Sequence, residues 1–313
     1  MVWDTFRESK GRPVPLDPSA QIINDLVVSA RADQADVFDA TTMREGYALL
    51  LGAVQPAELR CARRDLEVAG RAAILLTPRV ATDRLLVWFH GGGWVIGSPE
   101  LSLSETDALA VEGGCLVLSL DYRLAPEHPF PAAYDDAVAA VRWAQENADH
   151  LGIDPRHIAV GGDSAGGNLA ASVSVHFGDA LSAQLLVYPA VDLQRHSLAA
   201  ELYADGYLLH RAGMDWFKQQ YLANDDAGDV RASPMLASNE DLSRVPPAHI
   251  VVAEFDPLRD DGFDYAARLA ELGVPVTTDY HADQMHGFFS CGPVIPGAQR
   301  AIERAGAFLS APR

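Results

Sequence analysis

The sequence predicts an α/β fold in three layers, with a mainly parallel sheet between two layers of helices, and three observations predict it. Short apolar runs of strand length recur along the chain without polar alternation, which is typical of strands buried on both faces. Helical patterns separate these runs, as in consecutive βαβ units. The length of 313 residues, with 49% hydrophobic residues, suffices for one large domain with room for a lid.

The first 55 residues predict helices that pack on another unit. Apolar side chains recur with roughly helical spacing over residues 20–30 and again over residues 41–51. We expect both helices to lie on top of the sheet-containing unit rather than to form a core of their own.

The pattern changes at residue 64, where strands begin. Polar and apolar residues alternate over residues 64–69, and an apolar run follows over residues 72–76 beyond Gly70, which together predict a hairpin. The later strand patterns span residues 84–89, 115–120, 157–160, 184–187, 249–252 and 276–280.

Helices are predicted between these strands at residues 131–148, 164–177 and 260–272, and Gly273 closes the last of them. Residues 195–235 interrupt the alternation because they are helical in period and rich in aromatic side chains. We expect them to form an insertion that belongs to a lid.

Ser164 is the candidate nucleophile. It stands in the frame G-x-S-x-G with Gly162 and Gly166, after a strand pattern and before a helical one. The frame alone is common in ordinary loops, but a serine between a strand and a helix is typical of a nucleophile on a tight turn, where the glycines remove the Cβ atoms that would collide.

A serine nucleophile needs a base, and the base needs an acid that orients it. His286 is the candidate base because it follows the last strand pattern in a loop, and His281 is its main rival. Asp256 is the candidate acid because it follows a strand and would face the crevice at the carboxyl edge of the sheet. Glu254 is the alternative acid, and Asp260 is expected to cap the following helix.

An oxyanion hole requires backbone N–H groups that point at the developing negative charge. The string from His90 to Trp94 follows a buried strand and contains three glycines, which let N–H groups face a cavity without side chains in the way. The N–H of Ala165, at the start of a helix, is expected to be a further donor.

Large apolar side chains near these motifs are candidates for the substrate pocket, although such residues more often belong to a core. The selected candidates are Trp94, Tyr188, Leu208, Trp216 and Phe288. The wider set adds Val95, Ile96, Pro189, Tyr207, Leu209, Phe217 and Phe289.

Composition bounds the partners. The formal net charge of −19 opposes binding to nucleic acid or an anionic membrane. No apolar stretch approaches the length that spans a membrane, and Met1–Thr5 show no secretory pattern. Cys61, Cys115 and Cys291 are scattered and in no metal-binding spacing, which fits a reducing compartment. We expect a cytoplasmic protein without membrane insertion.

Five ordered segments together resemble the hormone-sensitive lipase family, the bacterial carboxylesterase branch (family IV) of the α/β-hydrolases. They are His90–Trp94, Tyr122–Glu127, Gly162–Gly167, Asp256–Asp260 and His286–Phe288, and the resemblance covers about residues 60–313. It implies an α/β-hydrolase fold, with a mostly parallel eight-stranded sheet flanked by helices and a helical cap. The implied organisation is an N-terminal cap (1–55), the first part of the catalytic domain (56–194), a cap insertion (195–235) and the second part of the catalytic domain (236–313).

The same resemblance implies the roles of the site residues: Ser164 as nucleophile, Asp256 as orienting acid, His286 as base, and the N–H groups of Gly92, Gly93 and Ala165 as the oxyanion hole. It implies a serine carboxylesterase that acts on small short-chain acyl esters through an acyl-enzyme, without a metal or cofactor. By analogy a homodimer would form along the strand near residues 276–280.

Three other functions remain to be weighed. An amidase or acyltransferase would use the same triad. A non-catalytic ligand receptor is disfavoured because Ser164, Asp256 and His286 are all present. A nucleotide-binding fold is discarded because no G-x-G-x-x-G opens the first βαβ unit.

Overall fold

The computed structural model describes residues 14–32, 39–222 and 226–312. Their strands form one eight-stranded sheet in the spatial order β1-β2-β4-β3-β5-β6-β7-β8. The bounds are β1 Ala62–Val68, β2 Arg71–Thr77, β3 Leu85–Phe89, β4 Leu116–Leu120, β5 Ile158–Asp163, β6 Ala183–Val187, β7 Ala248–Phe255 and β8 Val276–Met285. β2 pairs antiparallel with β1 and with β4, and all the other pairs are parallel. The predicted hairpin and the mostly parallel sheet are confirmed.

The helices of the described residues alternate with these strands, with two pairs gathered in the predicted cap regions. Their bounds are α1 Pro18–Ala32, α2 Ala40–Gly52, α3 Leu103–Gly113, α4 Ala132–Glu146, α5 Ala148–Leu151, α6 Ala165–Phe177, α7 Leu198–Leu202, α8 Arg211–Tyr221, α9 Asn239–Leu242, α10 Arg259–Glu271 and α11 Pro296–Ser310. The helices predicted at 131–148, 164–177 and 260–272 correspond to α4, α6 and α10. No helix in the described ranges is both long and apolar enough to cross a membrane.

Each face of the sheet has its own hydrophobic core. Side chains of a strand point alternately to opposite faces, and in β3 Val87 and Phe89 enter one core while Leu86 and Trp88 enter the other. Helices α4, α6 and α10 cover the first core, and α3 and α11 cover the second. Strands buried on both faces explain why their sequences are apolar throughout.

The sequence patterns did not predict α3 and α11. Polar residues of α3 are buried together with its apolar ones, so its sequence shows little amphipathic period. Its neighbour α11 is built largely from small residues on the buried side, and Gly306 lies so close to α3 that a Cβ there would be 2.5 Å from Glu112 Cβ. Small residues permit this close approach but give a weak hydrophobic signal.

Both N-terminal helices lie over the carboxyl ends of the strands. Asn24 of α1 donates from its amide to the Gly206 carbonyl (2.9 Å), which joins the N-terminal segment to the 195–235 insertion. Arg44 of α2 donates to the Val95 carbonyl (2.9 Å) and makes two hydrogen bonds of 2.7 Å to Glu127. The predicted N-terminal cap also includes residues 1–13 and 33–38, and residues 223–225 belong to the predicted insertion; these lie outside the described residues.

Candidate active site

Ser164 occupies a sharp turn between β5 and α6. Its φ of +54° is unusual for a residue with a side chain. The turn brings backbones so close that a Cβ on Gly166 would lie 1.9 Å from the Phe89 carbonyl oxygen, and one on Gly162 2.4 Å from the Gly166 carbonyl oxygen. The Ser164 N–H donates to the Val187 carbonyl (2.8 Å), which ties the turn to β6.

Two hydrogen bonds connect Ser164, His286 and Asp256. Ser164 Oγ lies 2.9 Å from His286 Nε2, and His286 Nδ1 lies 2.7 Å from Asp256 Oδ2. Asp256 is fully buried, and its other oxygen accepts the N–H of Leu258 (2.7 Å). The three residues follow β5, β7 and β8, so the carboxyl edge of the parallel sheet brings together side chains that are far apart in sequence.

The rival candidates have other partners. His281 Nε2 lies 3.0 Å from Asp279, which also binds Arg304. Glu254 accepts from the hydroxyls of Tyr203 and Tyr280, both at 2.5 Å, and pairs with Arg259 at 2.7 Å. These contacts hold His281 and Glu254 in pairs of their own, apart from the hydrogen bonds of Ser164.

The expectation that Asp260 caps its own helix is wrong. Helix α10 begins at Arg259 after Leu258, one residue before Asp260. The Asp260 carboxylate accepts the N–H of Ala199 instead (2.9 Å), in the first turn of α7. Asp260 therefore supports the inserted segment.

The glycine loop after β3 has positive φ angles at Gly92 (+116°), Gly93 (+58°) and Trp94 (+61°). Asp163 accepts the N–H of Gly91 (2.7 Å), and the Tyr122 hydroxyl donates to the His90 carbonyl (2.7 Å). No hydrogen bond among the described residues uses the N–H groups of Gly92, Gly93 or Ala165. These groups are free to bind a ligand oxygen.

A cavity of about 550 Å³ opens beside Ser164 and His286. Of the selected pocket candidates, Trp94 and Leu208 line it, and Ile96, Leu209 and Phe217 of the wider set do so as well. Helices α1 and α2 contribute apolar lining residues that the sequence interpretation missed: Leu26, Val27, Met43, Tyr47 and Leu50. Their helical spacing was visible, but periodicity does not show which face of a cap helix covers a cavity.

The predicted pocket roles of Tyr188, Trp216 and Phe288 are corrected, since none of them lines the cavity. Tyr188 is buried and packs against the His286 ring, with 4.5 Å between ring centroids. Phe288 is fully buried behind Tyr188. Trp216 packs on Val95 and Ala125, while its neighbour Phe217 faces Gly93.

One wall of the cavity is polar. Asp261 is buried there and accepts the N–H of Val191 (3.1 Å), and burial raises the pKa of Asp261 to about 7. Lys218 donates to the Leu193 carbonyl (2.7 Å). The cavity therefore combines an apolar side beneath α1 and α2 with a polar side near the inserted helices.

Among the described residues, one group of metal-ligand type lies at the opposite edge of the sheet. It consists of Asp83, before β3, and Asp154 and His157, before β5. The Arg156 guanidinium already pairs with Asp154 at 2.6 Å. We assign no metal to this exposed group.

Comparisons with known proteins agree with this geometry. Residues 86–290 match the family model described as alpha/beta hydrolase fold. The carboxylic ester hydrolase LipN of Mycobacterium tuberculosis is 44% identical over 241 residues, which are 72% of this chain and 64% of that protein, slightly less than two thirds of its length. Carboxylesterase NlhH of the same species is 41% identical over 80% of this chain and 82% of that protein. The solved structure of the hyperthermophilic esterase from the archaeon Pyrobaculum calidifontis superposes with a TM-score of 0.85 and 35% identity, covering 95% of this chain and 98% of that one.

Proposed function

The chain belongs to the alpha/beta-hydrolase family, and from this premise we propose that it is a serine carboxylesterase that hydrolyses small-molecule carboxylic esters. The observation that carries the proposal is the pair of hydrogen bonds from Ser164 to His286 and from His286 to Asp256. A serine hydroxyl becomes a nucleophile when an oriented imidazole can accept its proton. The relatives named as carboxylic ester hydrolase and carboxylesterase support the same reaction class.

In the first half of the reaction, His286 Nε2 takes the proton from Ser164 as Oγ bonds to the ester carbonyl carbon. The carbonyl electrons move to the oxygen, which becomes the tetrahedral oxyanion. His286 then gives the proton to the leaving alcohol as the ester C–O bond breaks, and an acyl-Ser164 ester remains. Water, deprotonated by His286, attacks the acyl-enzyme, and the carboxylic acid leaves as Ser164 recovers its proton.

The proposed oxyanion hole consists of the N–H groups of Gly92, Gly93 and Ala165. It is supported by their lack of partners among the described residues and by the bracing of the loop from below by Asp163. The first turn of α6 also directs its positive end toward this position. Donors that are already oriented stabilise the oxyanion without reorganisation during the reaction.

The cap and the acyl-chain preference are part of the same proposal. Segments 1–55 and 195–235 enclose the substrate, and the residues between and after them, 56–194 and 236–313, form the catalytic unit. The lining by α1, α2 and the inserted helices supports this division. A cavity of about 550 Å³ must hold both the acyl and the alcohol portion, which favours short acyl chains.

We further propose a cytoplasmic location and pairing of two copies along β8. The three cysteines are all free and buried, which suits a reducing compartment. β8 is the last strand in the sheet order, so its outer edge is open to a second strand. Light scattering coupled to size-exclusion chromatography measures the molar mass, and a monomer at all concentrations would contradict the pairing.

The experiment that tests the function uses Ser164→Ala and an alkyl fluorophosphonate. The wild-type protein is expected to hydrolyse nitrophenyl butyrate and to gain one phosphonyl group, detected by mass spectrometry of the Ser164 peptide. Ser164→Ala is expected to lose both properties while its circular dichroism spectrum stays unchanged. Equal turnover by the folded alanine variant would refute the assignment.

A further inference from the structure

The Asp163 carboxylate lies directly beneath the glycine loop. Asp163 is 4% exposed, and its Oδ1 accepts the N–H of Gly91 at 2.7 Å. A Cβ on Gly91 would lie 2.2 Å from the other oxygen, Oδ2, so loop and carboxylate are in close contact. A hydrogen bond from an N–H to an ionised carboxylate is stronger than one to a neutral acid. The support that the loop receives therefore depends on the charge of Asp163.

A second carboxyl group, Glu105 of α3, is buried in the same region. Glu105 is 1% exposed; its Oε1 lies 3.4 Å from Ser290 Oγ, and its Oε2 has no hydrogen-bond partner among the described residues. Neither Glu105 nor Asp163 makes an ion pair with a lysine or arginine of the described chain. The negative charge of Asp163 acts on Glu105 and favours its neutral form.

The groups that face Glu105 come from several elements: Asp163 after β5, Tyr47 on α2, Tyr188 after β6, Ser290 and Cys291 after His286, and Ser102 at the start of its own helix. Burial raises the pKa of the Tyr47 and Tyr188 hydroxyls well above their usual value and that of the Cys291 thiol to about 12. Of this set, only the two carboxyls titrate near neutral pH.

Two buried carboxyls close together do not both ionise without a large cost. Burial raises the pKa of Asp163 to about 6, against the opposing effects of the Gly91 hydrogen bond and of His286. Burial and the neighbouring Asp163 raise the pKa of Glu105 to about 8. At neutral pH Asp163 is therefore charged, and the proton resides on Glu105.

We propose that Glu105 is a positioning residue for the oxyanion loop: its neutral carboxyl leaves Asp163 as the sole charge beneath Gly91, and loss of its proton to solvent opposes formation of the oxyanion. This inference rests on the proposed esterase function. A second carboxylate in the same buried region repels the negative charge that develops in the transition state and weakens the charge on Asp163 that holds the loop. Because the ester itself is neutral, kcat falls while KM changes little.

The test compares kcat and KM for nitrophenyl butyrate from about pH 6 to pH 9.5, with Ser164→Ala subtracted as the blank for uncatalysed hydrolysis. In the wild-type protein kcat is expected to fall as pH rises through about 8, by on the order of tenfold, which is less than the loss of a whole oxyanion donor. Glu105→Gln, which imitates the protonated acid, is expected to keep the neutral-pH kcat within about twofold and to lack this alkaline decline.

Glu112→Gln is the matched control because Glu112 lies on the same helix and pairs with Arg60 at 3.6 Å, away from the site. It is expected to retain the wild-type pH profile. Ser290→Ala is a second variant: it removes a donor that favours the charged form of Glu105, so the midpoint of the decline is expected to move to higher pH.

A wild-type protein without an alkaline decline, or a Glu105→Gln variant that declines in parallel with it, would overturn the inference. If Glu105→Gln does not fold, an unchanged midpoint in Ser290→Ala has the same meaning. Failure of the esterase function itself is distinguishable, because the wild-type protein would then show no turnover above the Ser164→Ala blank at any pH.

Discussion

Asp256 holds His286 in one orientation and one tautomer. One carboxylate oxygen accepts the Leu258 N–H at 2.7 Å, and the other lies 2.7 Å from His286 Nδ1. With the proton on Nδ1, the Nε2 atom carries the lone pair that can receive the proton of Ser164. Tyr188 packs against the same imidazole ring, so the ring is fixed by contacts as well as by hydrogen bonds.

Asp256→Asn tests this arrangement at the scale of one residue. An asparagine amide can donate to Nδ1 and so favours the tautomer in which Nε2 carries the proton and cannot accept from Ser164. We expect kcat to fall by roughly three to four orders of magnitude, with the melting temperature nearly unchanged. Asp264→Asn is the control, since Asp264 is exposed and pairs with Arg195 outside the triad. A loss of less than tenfold would show that Asp256 is not the orienting acid.

The turn from β5 into α6 is the element that sets the nucleophile. Its backbone contacts with β3 leave no room for a side chain at Gly166, where a Cβ would meet the Phe89 and His90 carbonyl oxygens at 1.9 and 2.6 Å. Because both neighbours are backbone atoms, they cannot rotate aside. Strand β3 and helix α6 would have to separate, which would also displace the oxyanion loop relative to Ser164.

Gly166→Ala is therefore expected to lower the free energy of unfolding by about 1–3 kcal/mol and to abolish esterase activity. Gly52→Ala is the matched control: Gly52 is the last residue of α2, with nothing within 4 Å of an added Cβ. There we expect no loss, or a gain of up to about 1 kcal/mol from the restricted unfolded chain. Urea titration measures both values, and equal effects of the two substitutions would contradict the contact argument.

Local sequence patterns predicted the strands and the triad because each depends on features within a few residues. A buried strand needs an uninterrupted apolar run, and the nucleophile turn needs its two glycines. The pocket depends on how distant elements pack, which local patterns do not encode. Trp216 and Phe217 are adjacent aromatic residues on α8, yet only Phe217 lines the cavity. Asp260 likewise binds a segment about sixty residues earlier in the chain.

At the scale of the whole molecule, the cavity is enclosed by the catalytic unit and by helices from two separate parts of the chain. Leu26 and Leu49 at its lining are 65% and 79% exposed, which places them at the mouth. The fixed volume of about 550 Å³ limits the acyl chain that can enter together with an aryl alcohol.

We expect kcat/KM for nitrophenyl esters to be greatest between acetate and hexanoate and to fall by at least about tenfold at palmitate, since methylenes that remain in water add no binding free energy. The acyl-chain series measures this directly, with the wild-type protein at substrate concentrations below micelle formation. A preference that rises steadily to palmitate would show that the cap opens further than the structure indicates.

Buried acids also determine how the stability of the whole molecule depends on pH. Burial raises the pKa of Glu105 to about 8 and that of Asp261 to about 7. A carboxyl with a raised pKa in the folded state binds more protons there than in the unfolded chain, so its contribution to stability is lost as pH rises through the folded value. His90 has the opposite influence, because burial lowers its pKa to about 4, but it acts only below about pH 6.5, where the unfolded histidine gains its proton.

Between about pH 6.5 and 8.5 the carboxyls therefore dominate, and we expect the free energy of unfolding to decrease by about 2 kcal/mol over this window. Urea titration at constant ionic strength measures the change, and Glu105→Gln combined with Asp261→Asn is expected to remove most of it. Added salt separates this effect from repulsion among surface charges in a chain of net charge −19, because salt screens exposed charges far more than buried ones. Stability that rises with pH in this window, or a decrease of equal size in the double variant, would show that these two carboxyls are already ionised in the folded protein.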